Sequence, residues 1–432
     1  MKILVMSESG DGFGVAHKLA QEGHDVRVYV KERKFEYAML GIVKFVDSWR
    51  PVAADWAELV IADMVGFGNF ATVLDKFNVP HLGFSLVGDV LELDRQKQMS
   101  AFRKVGIRIP ETYEFDSPGE AKEMIRGLWT QETRGWALKP SGNIATGKTF
   151  IVRERETLDW ALDQYTGDQE LIAQKLVEGV EISTEGWFNG SDWVEPFNHT
   201  MEEKRFLNGD LGPNTGCMGN VVWTVSDEDA FVRELKRLTP VLRNANYKGP
   251  VDLNMIANQR GLFALELTTR FGYDAMEAFY ELLEEPLAGV LLDIAMGGRK
   301  QIKITNRVFG VAVRITVPPY PHAEPSEADR GLPVFGVPSS PNDQRPYHLT
   351  DVYKDGNLFR WAAADGVLMK VTAKHKNLDK ARQMVYDRVS RIRVQGAQYR
   401  TDIGERVERD IAQLREWGHL PAAGGFLAKL TG

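Results

Sequence analysis

Residues 204–219 read KRFLNGDLGPNTGCMG, and this stretch is the most informative in the chain. Its second half is dense in Gly, Pro, Asn and Thr, which form neither helices nor strands readily. Long ordered loops inside compact domains usually serve binding, so we interpret the stretch as a binding loop. A surface loop without a function is the alternative.

ELTTRFG at residues 266–272 is the second polar cluster, and it lies at the end of a predicted strand. Alternate residues of a strand share a face. Glu266, Thr268 and Arg270 are therefore expected to point the same way.

A hairpin is predicted at this cluster, because apolar strands at 251–256 and 262–267 are joined by NQRG. The hairpin is expected to bring Asp252 beside Glu266. Two acids near Arg270 suit Mg²⁺ with a triphosphate, because hard oxygen ligands hold the metal and a guanidinium holds phosphate. A structural ion pair is the alternative.

The third cluster is PSGNIATGK at residues 140–148, between strands predicted at 136–139 and 149–152. Its glycines let the backbone approach a phosphate closely, and Lys148 adds an ammonium group. The spacing is not that of a P-loop, and a strand follows instead of a helix. A solvated hairpin loop would explain the composition equally well.

The first 95 residues predict a small parallel α/β domain. KILVM at 2–6 reads as a buried strand, and SGDGFG at 9–14 as a glycine-rich turn before a helix. Residues 59–61 and the glycines at 66–68 repeat this strand, loop and helix unit. GDGFG is not a full dinucleotide fingerprint, so we interpret it as a tight packing turn. Phosphate binding is the alternative, which the acidic Asp11 disfavours.

The remaining sequence predicts a helix over 91–104, a compact α+β unit after it, and a last region that begins at 308–317. The fold class is therefore α/β and α+β, with several domains.

The composition is that of a globular protein of 432 residues, with 53 basic and 60 acidic residues and a net charge of −7. The single Cys217 excludes a disulfide scaffold and a cysteine metal cluster, and this lone cysteine is not assigned to catalysis. No apolar run approaches a membrane span. Clustered basic residues for nucleic-acid binding are lacking. We expect a cytoplasmic protein that acts on small molecules.

In this order, the clusters resemble those of the ATP-grasp ligases, and among them the glycinamide ribonucleotide synthetase (phosphoribosylamine–glycine ligase) family. KRFLNGDLGPNTGCMG is similar to the signature loop of that family, with Cys217 in place of a glycine. ELTTRFG resembles the family's EFNxRFG, and QYRTDIGER at 398–406 resembles the run that ends its C-terminal domain.

The resemblance implies an ATP-grasp fold that follows a Rossmann-like N-terminal domain. The expected boundaries are an N-terminal domain at 1–95, a central domain at 96–113 and 184–305, a lid at 114–183, a C-terminal domain at 306–410 and a tail at 411–432.

Site residues are implied in the same way, with ATP and Mg²⁺ (Mn²⁺ as the other metal) as cofactors. Arg270 would clamp the transferring phosphoryl group, Lys148 would be catalytic in the loop 140–148 that closes over the ATP phosphates, and Asp210, Asn214 and Thr215 would line the acceptor side. Asp252, Glu266 and Thr268 would hold the metal. The nucleotide would contact Lys97, Lys139, Ser141, Gly142, Gly147, Gln174, Leu176, Val177 and Glu181.

The chain also departs from the family pattern. Thr268 stands where the family has Asn. Asp252 is therefore expected to hold the metal in place of that Asn. The N-terminal runs that hold phosphoribosylamine in the family read GDGFG at 10–14 and ADMVG at 62–66 here. After RFG the family has Asp-Pro-Glu, whereas this chain continues with YDAME at 273–277.

Three functions stay open. The first is the family reaction of purine biosynthesis, in which the carboxylate of glycine forms an acyl phosphate that 5-phosphoribosylamine intercepts. The second joins glycine or another amino acid to a different amine, such as a modified nucleotide. The third is a nucleotide-binding protein without catalysis. The expected assembly is a monomer or homodimer.

Overall fold

The computed structural model describes residues 1–141, 149–165, 167–225 and 228–422. Within these residues, no helix is long and apolar enough to cross a lipid bilayer. The chain begins with a parallel sheet whose strand order is β3-β2-β1-β4-β5, as the sequence predicts for an α/β start. Residues Ile3 to Met6 are fully buried because helices and loops cover both faces of the sheet. The strands are β1 (Lys2–Ser7), β2 (Asp25–Val30), β3 (Lys44–Phe45), β4 (Leu59–Ala62) and β5 (His81–Leu82).

Five helices accompany this part of the chain: α1 (Phe13–Gln21), α2 (Trp49–Asp55), α3 (Ala71–Phe77), α4 (Leu86–Leu93) and α5 (Arg95–Lys104). The single helix predicted over 91–104 is wrong, because the chain breaks at Asp94. The Asp94 carboxylate accepts a hydrogen bond from the backbone nitrogen of Lys97 at 3.0 Å and so caps the start of α5.

A four-stranded antiparallel sheet follows, with its own apolar core around Trp136, Leu138 and Leu162. Its order is β6-β9-β7-β8. The elements are β6 (Thr112–Phe115), α6 (Pro118–Leu128), β7 (Trp136–Pro140), β8 (Phe150–Val152), α7 (Leu158–Leu162) and β9 (Leu171–Lys175).

The next region contributes β10 (Val180–Asn189), β11 (Trp193–Glu202), β12 (Arg205–Leu207), β13 (Leu211–Asn214), β14 (Gly219–Val225), α8 (Ala230–Lys236), α9 (Thr239–Asn244), β15 (Lys248–Asn258) and β16 (Gly261–Thr268). The last region contributes α10 (Ala275–Leu282), α11 (Leu287–Ala295), β17 (Phe309–Thr316), β18 (Pro333–Val334), α12 (Pro341–Gln344), β19 (Tyr347–Leu349), β20 (Val352–Asp355), β21 (Leu358–Trp361), β22 (Val367–His375), α13 (Leu378–Val389) and α14 (Val407–Glu416). Strands β12 and β13 form a separate hairpin, and β18, β21 and β20 form a small sheet.

One eight-stranded antiparallel sheet joins these two regions, in the order β16-β15-β10-β11-β14-β17-β22-β19. Helix α10 packs against β14, β17 and β22 at the junction. Residues Ile411, Leu414 and Leu420 are buried, so α14 is packed across the boundary expected at residue 410.

Two loops on the parallel sheet position the site described below. The first glycine loop (residues 8–12) joins β1 to α1, and the second glycine loop (residues 63–70) joins β4 to α3. Both leave the carboxyl ends of neighbouring strands, which is where open α/β sheets usually bind ligands.

Candidate active site

A cavity of about 400 Å³ lies where the first glycine loop, the eight-stranded sheet and the loop before β22 meet. Glu266, Thr268 and Arg270 all line this cavity, so the prediction that they share one face is confirmed. Asp252 lines it as well. These three side chains of the polar cluster at residues 266–272 therefore face a ligand-sized space.

The register of β15 and β16 differs from the predicted one. Asp252 lies opposite Thr268, and Asn254 lies opposite Glu266, with a bulge after Asn254. Asp252 is thus two residue pairs along the hairpin from Glu266. Asn254, which sequence reasoning missed, is the direct neighbour of Glu266.

Two cations hold the Glu266 carboxylate. The Arg95 guanidinium lies 2.9 Å from Glu266 Oε2, and Lys204 Nζ lies 3.6 Å from Oε1. Burial opposes ionisation of Glu266, but Arg95, Lys204 and Lys139 outweigh burial, so the pKa of Glu266 is lowered. The carboxylate stays charged at any physiological pH.

Lys204 connects three carboxylates. Its Nζ is 2.8 Å from Glu181 Oε1 and 3.6 Å from Glu202, in addition to its contact with Glu266. Glu181 Oε1 also accepts a hydrogen bond from Asn254 Nδ2 at 3.1 Å. Lys204 opens the signature stretch, so its role could have been suspected from that stretch alone.

By contrast, no described cation lies within ion-pair distance of Asp252, and Glu202 has only the 3.6 Å contact with Lys204. Burial raises the pKa of Asp252 well above its usual value, and the charge of Glu202 adds to this effect. Burial also raises the pKa of Glu202, against the opposing charge of Lys204. A cation bound nearby would favour the ionised form of both acids.

The donor set on β15 and β16 fits a hard divalent cation. Asp252, Asn254, Glu266 and Thr268 offer only oxygen or amide groups to the cavity, and the buried Asn254 Oδ1 accepts no hydrogen bond from any described residue. Nowhere in the described ranges do three Asp, Glu, His or Cys side chains come close enough to hold a metal unaided. This set suits a metal that takes its remaining ligands from phosphate and water, as Mg²⁺ usually does.

Two buried polar residues lie on the side expected for the nucleotide. Burial lowers the pKa of Lys139 to about 8, with the charge of Arg95 adding to the effect, and Lys139 Nζ donates to the Leu265 carbonyl at 3.3 Å. Gln174 Nε2 donates to Thr112 Oγ1 at 3.1 Å, while its buried Oε1 accepts nothing from the described residues. That free acceptor agrees with the predicted contact to an adenine amine.

The other residues predicted to contact the nucleotide are spread around this region. Lys97 is largely exposed and pairs with Asp94 at 2.9 Å. Ser141 is buried, and its Oγ accepts from the backbone nitrogen of Gln96 at 3.2 Å. Leu176 and Val177 follow β9 and are half-buried. Gly142, Gly147 and Lys148 lie outside the described residues.

Arg270 is held by a partner that the sequence did not reveal. Glu92, at the end of α4, accepts from Arg270 Nε at 2.7 Å and from the backbone nitrogen of Thr269 at 2.8 Å. The Arg270 guanidinium also lies over the Tyr273 ring, 4.8 Å from its centroid. These contacts fix the direction in which Arg270 points into the cavity.

The signature stretch forms the β12–β13 hairpin and is anchored to the C-terminal run QYRTDIGER. Asp210 accepts from Arg400 at 3.1 Å and from Arg406 at 3.0 Å, and Glu203 lies 2.9 Å from Arg406. Two of the three motifs that carry the family resemblance thus meet in space.

The residues predicted to line the acceptor side do not face the cavity as a group. Asp210 faces the arginines just described, and Asn214 is exposed opposite Arg205. The backbone nitrogen and Oγ1 of Thr215 both bond to the Lys204 carbonyl, at 2.8 and 2.9 Å. Among the described residues of this stretch, Lys204, Gly216 and Cys217 are the ones that line the cavity. Burial raises the pKa of the Cys217 thiol well above its usual value, which is unlike a nucleophilic cysteine.

The N-terminal loops reach the cavity through Gly10, Asp11 and Met64. Opposite them, the C-terminal region contributes groups that the sequence analysis missed, foremost Arg314 and Lys370. No local motif marks these two cations, since each comes from the middle of a strand.

The chain is similar to several known proteins. Residues 95–274 match the family described as "Phosphoribosylglycinamide synthetase, ATP-grasp (A) domain". The phosphoribosylamine–glycine ligase of Streptomyces coelicolor is 25% identical over 343 residues, covering 76% of this chain and 80% of that protein. The enzyme of the same name from Rhizobium meliloti is 23% identical and covers 95% of this chain and 100% of its own length.

A solved structure extends the likeness to the fold. The crystal structure of phosphoribosylamine–glycine ligase from Thermotoga maritima superposes with a TM-score of 0.73 at 20% identity, over 94% of this chain and 100% of that chain. ATP-grasp ligases use ATP and a divalent metal. Residues 95–274 therefore match the ATP-grasp domain of this ligase family, and the chain is similar to phosphoribosylamine–glycine ligase over nearly its whole length.

Proposed function

We propose that this chain is an ATP-dependent carboxylate–amine ligase that works through an acyl phosphate. The observation that carries the proposal is the cluster of Glu266, Lys204, Arg95 and Arg270 around one cavity, beside the buried Lys139. Phosphoryl transfer depends mainly on positioning and charge neutralisation, which such a cluster supplies without a covalent nucleophile.

In the first step a carboxylate oxygen of the acid attacks the γ-phosphorus of ATP. The bond between that phosphorus and the β,γ-bridging oxygen breaks, and ADP leaves with the electron pair. Arg270, held by Glu92, would receive the charge that develops on the transferring group.

In the second step the amine nitrogen attacks the acyl carbon. The carbon–nitrogen bond forms, the bond from carbon to the phosphate oxygen breaks, and the departing phosphate takes up the proton that nitrogen loses. An acyl phosphate hydrolyses in water, so a cavity between protein regions protects it.

Mg²⁺ is the metal that we propose, with Glu266, Asp252 and Asn254 as the side chains that would hold it. Bound there, it would draw charge from the phosphate oxygens of ATP. Thr268 faces Asp252 across the hairpin, which puts a weaker oxygen ligand within the same group. We place the protein in the cytoplasm, in keeping with its single cysteine.

Glycine and phosphoribosylamine, the substrates in the name of the relatives, are the first pair to test. The assay is ADP release with Mg·ATP and glycine, with and without 5-phosphoribosylamine generated in place. Release that needs both substrates and is lost in Glu266→Ala would support the complete reaction. Glu123→Ala, at an exposed position on α6, is the matched control and should not change the rate.

A different amine is the second candidate, because Asp11 and Met64 line the cavity where the amine is expected. ADP release with glycine alone would favour it. If the protein binds ATP but releases no ADP with any amino acid, the third candidate, a nucleotide-binding protein without catalysis, would be favoured.

A further inference from the structure

Both oxygens of the Glu266 carboxylate face a cation of the chain itself. The Arg95 guanidinium lies 2.9 Å from Oε2, and Lys204 Nζ lies 3.6 Å from Oε1. Glu266 is also one of the side chains that would hold the divalent metal. A metal on this carboxylate would meet the positive charges of Arg95 and Lys204 at close range, and like charges repel. We therefore expect one of the two side chains to move away when a metal binds.

Lys204 has other partners that keep it in place. Its Nζ lies 2.8 Å from Glu181 Oε1 and 3.6 Å from Glu202. These two carboxylates would still hold the ammonium group after Glu266 had taken up a metal. Lys204 is thus the fixed cation of the pair.

Arg95 has no second carboxylate among the described residues. Besides Glu266, the side chain to which it donates is the neutral Gln98, whose Oε1 lies 3.4 Å from Arg95 Nη1. A hydrogen bond of that length is weak. The Arg95 side chain is 23% exposed, so the surrounding protein does not enclose it. Arg95 is thus the cation that can move once Glu266 binds a metal.

The phosphate end of the expected nucleotide site lies beside Arg95. Arg95 begins α5, and the backbone nitrogen of the next residue, Gln96, donates to Ser141 Oγ at 3.2 Å. Burial lowers the pKa of Lys139 to about 8, and the charge of Arg95 adds to the effect, so the two cations are neighbours. Lys139 and Ser141 are among the residues predicted to contact ATP. An anion between two such cations relieves their repulsion, and a guanidinium group can bind two phosphate oxygens at once.

We propose that Arg95 is a switch that pairs with Glu266 in the free protein and turns to the phosphates of ATP when the divalent cation occupies Glu266. The inference rests on the proposed function and adds a phosphate-binding residue to it. In the free protein, Arg95 makes Glu266 a poor site for a bare metal ion. With ATP bound, the phosphates give Arg95 a new partner and leave Glu266 to the metal. Metal and nucleotide therefore each favour the binding of the other.

The first measurement is metal binding without nucleotide. Mn²⁺ is the probe, because the electron paramagnetic resonance signal of unbound Mn²⁺ reports the bound fraction. Arg95→Met removes the competing charge, so its Kd for Mn²⁺ should be about tenfold lower than that of the wild-type protein. Arg95→Lys keeps a positive charge, and its Kd should fall between the two.

The second measurement is nucleotide binding by calorimetry, with Mg²⁺ and the non-hydrolysable analogue AMPPNP. Arg95→Met loses a charge-assisted contact to phosphate, so its Kd for AMPPNP should be about tenfold higher. Adenosine has no phosphate, and its Kd should not change. The matched control is Arg103→Met, because Arg103 lies on the same helix in an exposed ion pair with Glu114 at 3.1 Å. This control should leave all three Kd values unchanged.

The opposite directions of the two shifts separate the switch from a structural role, because a damaged site would bind metal and nucleotide more weakly together. A Kd for Mn²⁺ that is unchanged or higher in Arg95→Met would overturn the inference. An unchanged Kd for AMPPNP, or an equal loss of affinity for adenosine, would overturn it as well. These measurements need neither acid nor amine, so they decide the inference separately from ADP release, which decides the proposed function.

Discussion

The buried pair of Asp274 and Arg314 gives the sharpest stability prediction. Both residues lie at the junction of α10 and the eight-stranded sheet, with side chains 0% and 9% exposed. The change Asp274→Asn keeps the shape and the capping ability of the side chain but leaves the Arg314 guanidinium without its bidentate partner. Removing one member of a buried ion pair costs about 3–5 kcal/mol.

An exposed pair in the same chain provides the control. Asp293 lies 2.8 Å from Arg299, a similar distance, but its side chain is 51% exposed. Asp293→Asn should cost less than about 1 kcal/mol. The free energies of unfolding would be compared by urea denaturation, followed by tryptophan fluorescence and circular dichroism.

A double variant separates the interaction energy of the pair from the contributions of the individual residues. Asp274→Asn combined with Arg314→Met removes both charges, so its cost should fall well below the sum of the two single costs. Additive costs, or a cost below about 1 kcal/mol for Asp274→Asn, would refute the argument that burial makes this pair important.

Three further predictions follow from the site. Glu92→Gln removes the charged partner of Arg270, so kcat for ADP release should fall about tenfold with little change in the KM for ATP. A rise of about tenfold in KM with an unchanged kcat would instead show that the pair acts in binding ATP and not in the transition state. Gln174→Leu removes the free buried acceptor, so the Kd for ATP in calorimetry should rise about tenfold, and an unchanged Kd would contradict the adenine contact. Burial raises the pKa of Asp63 to about 7, so the folded state holds a proton that the unfolded state releases near pH 4. Above that pH this group should therefore lower the free energy of unfolding by up to about 1.4 kcal/mol per pH unit until pH 7, and Asp63→Asn should make the slope measured in urea titrations shallower by that amount.

Strand periodicity explains which parts of the site could be foreseen. Alternation along β16 placed Glu266, Thr268 and Arg270 on one face without any knowledge of the fold. It could not fix which residue of β15 lies opposite Glu266, because the bulge after Asn254 shifts the pairing of the two strands. Asn254 was missed for that reason.

Helix ends were harder to predict than strand faces. The pattern across residues 91–104 is continuous enough to read as one helix, yet Asp94 adopts an extended conformation and begins a second one. An Asp that caps a helix and an Asp on a helix surface look alike in sequence.

The partners of the site residues could not be predicted, because they are distant in sequence. Arg95 is 171 residues from Glu266, and Glu92 is 178 residues from Arg270. Their contacts depend on α4 and α5 packing against β16, which no local pattern specifies. Lys370 reaches the cavity only because one sheet joins the central and C-terminal regions.

The most direct test of the proposed chemistry follows the oxygen atoms of the acid. Glycine labelled with ¹⁸O in both carboxylate oxygens would be incubated with Mg·ATP, the protein and hydroxylamine, and the phosphate analysed by mass spectrometry. Attack of the carboxylate on the γ-phosphorus predicts one ¹⁸O atom in each phosphate released, and loss of this transfer in Glu266→Ala. Phosphate that carries no label, while ADP is released and the hydroxamate forms, would contradict an acyl-phosphate ligase.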